Sequence, residues 1–238
     1  MLCSGAIFVH IPKTAGQSIN KALRELSGLD WEKKQSLEKR RELLLKENKN
    51  LDPGPPRLTH LKASEYVTCG FVSPQQFDSC FKFSFVRNPW DRLVSEYRFR
   101  NHYWRFDFKS FLFNHFPNEP GTDAYVHILP QYDFLFDTTG RCLVDFIGRF
   151  ENLQADFNSV CQKLSIDRIT LPHKNNSAKK RPRIRDVRKF VRWCRGLKSQ
   201  RDNTFGHYTQ YYDDESKEFV RYKYRQDIEM FRYGFGDP

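Results

Sequence analysis

Two segments, well separated along the 238-residue chain, carry residue types that handle phosphate. The first is Phe8-Val9-His10-Ile11-Pro12-Lys13-Thr14-Ala15-Gly16-Gln17-Ser18-Ile19. Lys13 supplies a cation on a mobile stem, Thr14 and Ser18 supply hydroxyl donors, and Gly16 removes the Cβ that would block a ligand's close approach. A helix starting at Gln17 or Ser18 would turn its free N–H groups, those of Ala15 included, toward an anion. The second is Phe83-Ser84-Phe85-Val86-Arg87-Asn88-Pro89-Trp90-Asp91-Arg92-Leu93-Val94-Ser95-Glu96-Tyr97. The planar fork of Arg87 suits a bidentate phosphate contact. Ser95 follows about two helical turns later and would offer a hydroxyl to the same group. Asp91 and Arg92 read as a cap and a surface pair. Two such units can hold the two ends of a nucleotide that carries two phosphate groups. The nucleoside-triphosphate signature G-x-x-x-x-G-K-[ST] does not fit, because here the lysine precedes the glycine and the first glycine is missing.

Each segment needs a strand, a turn and a helix to position it. Ala6 to Ile11 is an apolar, β-branched run, as expected of a strand buried on both faces, and Pro12 ends it. Ile19, Ala22, Leu23 and Leu26 then fall at helical spacing. Phe81, Phe83, Phe85 and Val86 form a second strand, Pro89 suits a helix's first turn, and Leu93, Val94 and Tyr97 give the following stripe. Arg87 therefore stands at a strand end, where open α/β sheets bind ligands. Residues 30–56 read as a surface helical excursion followed by a Pro/Gly-rich loop. A turn or hairpin is expected at Asp137 to Gly140, with a strand running to Ile147. Helices are expected at 63–66, at 155–164 and, as one long element, at 213–232. The whole is read as one domain, 1–238.

Read together, HIPKTAGQS and FVRNPWDRLVSEY resemble the PAPS-dependent sulfotransferases (PAPS is 3′-phosphoadenosine-5′-phosphosulfate), in the branch of the heparan and chondroitin type carbohydrate enzymes and their bacterial relatives. Asp145 to Leu153, Leu171 to Asn175 and Tyr211 to Tyr233 are similar to later parts of that family. The resemblance implies an α/β fold with a central, mostly parallel sheet flanked by helices and a P-loop-like donor site. It implies that Lys13, Thr14, Ala15, Gly16, Gln17 and Ser18 hold the 5′-phosphosulfate, that Arg87 and Ser95 hold the 3′-phosphate, and that Asn175 lies in a loop near the nucleotide. PAPS would be the donor and PAP the product, with no metal.

Sulfuryl transfer to a hydroxyl is an in-line displacement that needs a base for the hydroxyl proton and donors for the leaving phosphate. Lys13 fits the second role. Related enzymes place a histidine or glutamate between the two motifs, and of seven histidines only His60 lies there. Its unperturbed pKa suits the task. Glu65 is the second choice. His127, in Tyr125 to Gln131, is a candidate lining residue of an acceptor pocket. His10 reads as a core-edge histidine bonded to backbone, and His102 and His115 sit among aromatics.

Charge narrows the partners. The net charge of +11 is one local feature: residues 174–201 hold twelve Lys/Arg and a single acid, Asp186, and the rest of the chain balances. Three readings stand side by side: a cover for the anionic nucleotide, an attractant for an acidic or uronic-acid-bearing glycan, and a solvated face. A neutral glycan or a small-molecule alcohol is also an admissible acceptor. The competing class is a non-catalytic binder of polyanions, heparin or nucleic acid, through the same segment. The paired phosphate motifs speak against it, and nucleic acid is not the expected partner. The six cysteines lack metal-ligand spacing and read as reduced thiols. No apolar run spans a bilayer and no signal segment is evident. A cytoplasmic enzyme is expected if the chain is like the bacterial relatives, and a Golgi-lumen enzyme if it is a trimmed chain.

Overall fold

The computed structural model describes residues 1–3, 5–172 and 206–237. The basic segment, with His173 and Asn175, lies outside the described residues. No described helix is long and apolar enough to cross a membrane.

The chain divides into two compact units, Met1–Arg87 with Asn118–Lys174, and Asn88–Pro117 with Asn175–Pro238. The first unit is built on a four-stranded mixed sheet, in the order β1 (Leu2–Cys3), β2 (Ala6–Val9), β3 (Phe81–Val86), β4 (Phe146–Arg149). β2 pairs parallel to β3, and β3 pairs parallel to β4. The short β1 folds back antiparallel on β2, an addition the sequence did not signal. The two central strands are almost wholly buried: β2 is apolar throughout, whereas β3 alternates its apolar residues with Lys82 and Ser84, whose side chains donate to the carbonyls of Cys80 and Val9. Phe8 stacks on Phe83, with centroids 5.2 Å apart, and Phe85, Ile19, Leu23, Phe157 and Val160 close the core around them.

Those last residues come from α1 (Gly16–Leu26) and α9 (Leu153–Lys163). The excursion is α2 (Lys34–Glu47), tied down by buried Leu37. A 3-10 turn (Leu58–His60), α3 (Glu65–Thr68), α4 (Pro74–Ser79), α7 (Asp123–Ile128) and α8 (Tyr132–Leu135) complete the unit. The expected hairpin at Asp137 to Gly140 is a tight turn closed by a single bridge, Phe136 to Cys142.

The second unit holds α5 (Pro89–Phe99), α6 (Phe108–Asn114), α10 (Asp214–Lys223) and α11 (Arg225–Phe231). The expected single C-terminal helix is thus two, broken at Tyr224, where no proline or glycine announces it. Arg92 is a second correction: it is 1% exposed, not a surface charge.

Candidate functional site

Pro12 ends β2's run, and the chain then bends through two left-handed residues, Lys13 (φ 71°) and Ala15 (φ 65°), before α1 begins at Gly16. Neither residue is a glycine, so the turn is strained, as is common where a backbone shape serves a ligand. Left-handed residues in a turn can gather successive N–H groups into a concavity that suits an anion. The Thr14 hydroxyl points inward and donates to the Ile11 carbonyl at 3.0 Å. It braces the turn, so Thr14 can meet a ligand only through its N–H. The N–H groups of Ser18 and Ile19 are engaged by the Ala15 carbonyl. No hydrogen bond among the described residues occupies those of Gly16 and Gln17. Of the N–H groups expected to face a ligand, that of Ser18 is thus already engaged within the turn.

Gly16 has a reason beyond ligand approach. A Cβ there would stand 1.8 Å from Nε2 of His10. The His10 imidazole fills the place of a side chain and packs on the turn. Its Nδ1 meets Nδ2 of Asn20 at 3.3 Å, so a side chain and not the expected backbone group is its partner.

His10 also links the turn to His60. The His60 Nδ1 lies 3.0 Å from the His10 carbonyl oxygen, and the two rings are 4.6 Å apart. A carbonyl only accepts, so Nδ1 carries the proton and Nε2 keeps its lone pair. Burial pushes the His60 pKa down to about 4, and nearby His127 adds to this, while the His10 carbonyl and the Asp123 carboxylate oppose it. The ring is neutral at neutral pH, as a base must be. Burial, with His60 as a further cause, holds the His10 pKa well below the ordinary histidine value. His60 lines a pocket of about 400 Å³, together with Lys62, Glu65, Tyr125, Phe134 and the Pro53–Pro56 loop. The second choice, Glu65, is bound at one carboxylate oxygen by the Lys62 N–H, 2.7 Å away. Burial raises its pKa. His127 is not among the pocket's lining residues and lies behind His60 instead.

The second motif reaches the same turn. Arg87 donates to the Lys13 carbonyl at 3.1 Å and stacks on Phe150, 3.8 Å to the centroid. Its backbone is held at both N–H and carbonyl by the side-chain amide of Gln131, each bond 2.8 Å. Gln131 is fully buried. Its role, like those of Phe150 and Asn20, escaped sequence reasoning because each depends on a contact distant in sequence or on an unassigned partner. Ser95 lies on α5 in the second unit, half-buried.

Comparison with known proteins puts this arrangement in context. A family model described as "Sulfotransferase family" matches residues 4–234. The chain belongs to the sulfotransferase family. An uncharacterized protein of Archaeoglobus fulgidus is 34% identical over 96 residues, which is 40% of this chain and 76% of that protein. No solved structure gives a significant match. Sulfotransferases move a sulfuryl group from a donor to an acceptor. No group of side chains suited to a metal ion occurs among the described residues.

Proposed function

We propose that this sulfotransferase uses PAPS and transfers its sulfuryl group to an acceptor hydroxyl, with His60 as the base. The observation that carries the reading is the hydrogen bond from His60 Nδ1 to the carbonyl of His10, a residue whose ring packs on Gly16 of the phosphate turn. The base is thereby mounted on the donor loop itself.

In this reading the turn is a P-loop-like cradle. The N–H groups of residues 14–17 and the Lys13 ammonium hold the 5′-phosphate and stabilise the charge it gains on leaving. Arg87 holds the 3′-phosphate, with Ser95 as the helper implied by the family pattern. The acceptor oxygen gives its proton to His60 Nε2 as it attacks sulfur in line. The pocket's volume suits a sugar unit, and its lining mixes charged side chains with Tyr125 and proline faces, which supports a carbohydrate acceptor.

The test is PAPS turnover across a panel of glycan and alcohol acceptors, with His60→Ala alongside. The variant should bind PAP as the parent does and lose turnover by about a hundredfold or more. Near-full turnover in His60→Ala would remove the base from this account. Binding of heparin with no product from PAPS would favour the polyanion-binding reading.

A further inference from the structure

A line of ionisable side chains runs from His60 through His127 and Asp123 to Arg57. The rings of His60 and His127 meet edge to face, with centroids 5.1 Å apart. His127 Nε2 lies 3.7 Å from Oδ1 of Asp123. That oxygen is in turn 2.9 Å from Nε of Arg57. Arg57 immediately precedes the 3-10 turn that carries His60. Asp123 and His127 are four residues apart on α7, so helix geometry sets them on one face. Both are largely withdrawn from solvent, with side-chain exposures of 22% and 5%.

An ion pair of Arg57 with Asp123 alone would be worth little at a protein surface. What sets this pair apart is the third member. His127 lies beside the carboxylate, 3.7 Å away and beyond hydrogen-bond distance, and its ring meets that of the base edge to face. Other charges also face His60: His10 with Lys13 beyond it on the turn side, Arg57 and Lys62 along its own segment, Glu65 from α3, and Arg41 and Asp52 across the pocket. Of the carboxylates, Asp123 is the largest cause favouring the charged form of the His60 ring.

We propose that Asp123 and His127 are positioning residues for His60: the His127 ring fixes the base's orientation, and the Asp123 carboxylate, aligned through it, stabilises the imidazolium formed when the base takes the acceptor's proton. The inference rests on the reading of His60 as the base. In the step concerned, the acceptor's O–H bond breaks and its proton goes to Nε2. The acceptor oxygen bonds to sulfur as the bond from sulfur to the 5′-phosphate oxygen breaks, and that electron pair leaves with the phosphate. The proton stays on His60, now cationic between the His10 carbonyl and the Asp123 charge. Asp123 remains ionised throughout.

The test uses the full chain labelled with ¹⁵N-histidine. The His60 ring is titrated by NMR in the parent, in Asp123→Asn and in Asp123→Glu, and kcat, its pH profile and PAP affinity are measured on the same samples. Asp123→Asn should lower the His60 pKa by about one unit. It should reduce kcat about tenfold at neutral pH while leaving PAP affinity unchanged. Asp123→Glu should recover most of both. His127→Gln, which keeps a polar side chain but removes the ring, should lower kcat in the same way. Identical His60 titration in the parent and Asp123→Asn overturns the inference. So does a fall in kcat matched by an equal loss of PAP affinity, which would mark a merely structural role. A parent chain that titrates as expected but never turns over PAPS refutes the proposed function and leaves the electrostatic coupling standing.

Discussion

Replacement of Gly16 by alanine puts the link between the donor turn and the base under direct strain. Gly16 begins α1, and its φ is not left-handed, so alanine is conformationally acceptable there. On helix propensity and chain entropy alone, Gly16→Ala should stabilise the protein by about 0.4–1 kcal/mol. The new Cβ, however, would lie 1.8 Å from Nε2, 1.9 Å from Cδ2 and 2.6 Å from Cε1 of His10. Three ring atoms inside van der Waals contact cannot be relieved by a small torsion. The ring is 95% withdrawn from solvent, stacked on Phe8 and set against His60. Overpacking of this kind costs about 3 kcal/mol, the upper part of its usual range. The net is a loss of about 2 kcal/mol, or a Tm lower by roughly 4–8 °C for a chain of this size. Thermal unfolding of the parent, Gly16→Ala, His10→Ala and the double variant forms a cycle. Without the His10 ring, Gly16→Ala should become neutral or stabilising, a coupling of a few kcal/mol between contacting residues. Gly16→Ala that raises Tm in the parent, or that lowers it equally in both backgrounds, would refute the packing argument.

Other consequences can be measured on the same protein. His60 has a folded-state pKa of about 4, against an ordinary 6.5. The unfolded chain therefore binds this proton more readily, so the contribution to stability is complete above about pH 6.5 and falls as pH drops toward 4, by about 3 kcal/mol. Urea midpoints followed over that window should flatten in His60→Asn; an unchanged slope would mean the ring is not held neutral by burial. Arg87→Lys keeps the charge but loses the planar stack on Phe150 and the fixed fork toward the turn. PAP affinity should fall about tenfold by calorimetry, whereas unchanged affinity would mean that Arg87 acts only as a point charge.

Both strand-turn-helix units were legible because their signals are local. Apolar β-branched or aromatic runs stop at Pro12 and at Asn88-Pro89, and helical stripes resume at once. That β2 pairs with β3, and that the Arg87 guanidinium therefore reaches the Lys13 carbonyl, are contacts between distant segments that these local signals do not state. The meaning of Gly16 was half legible: a missing Cβ was required, but the group filling its space is a histidine six residues earlier, not a ligand alone. Thr14 likewise had a purpose the sequence could not show, since its hydroxyl serves the Ile11 carbonyl. Arg92 misled because a charged residue within Trp-Asp-Arg-Leu reads as exposed, and only tertiary packing buries it. The place of His127 depends on α7 meeting the 3-10 turn, which no local pattern encodes. Its spacing from Asp123 was visible and would have marked the pair.

Donor recognition is the claim on which the rest depends, and calorimetric titration with PAP, beside AMP as a control, measures it most directly. Lys13, the N–H groups of 14–17 and Arg87 predict micromolar or tighter PAP binding that falls by about a hundredfold or more in AMP, which lacks the 3′-phosphate. Equal binding of PAP and AMP, or none of either at moderate salt, would contradict the account.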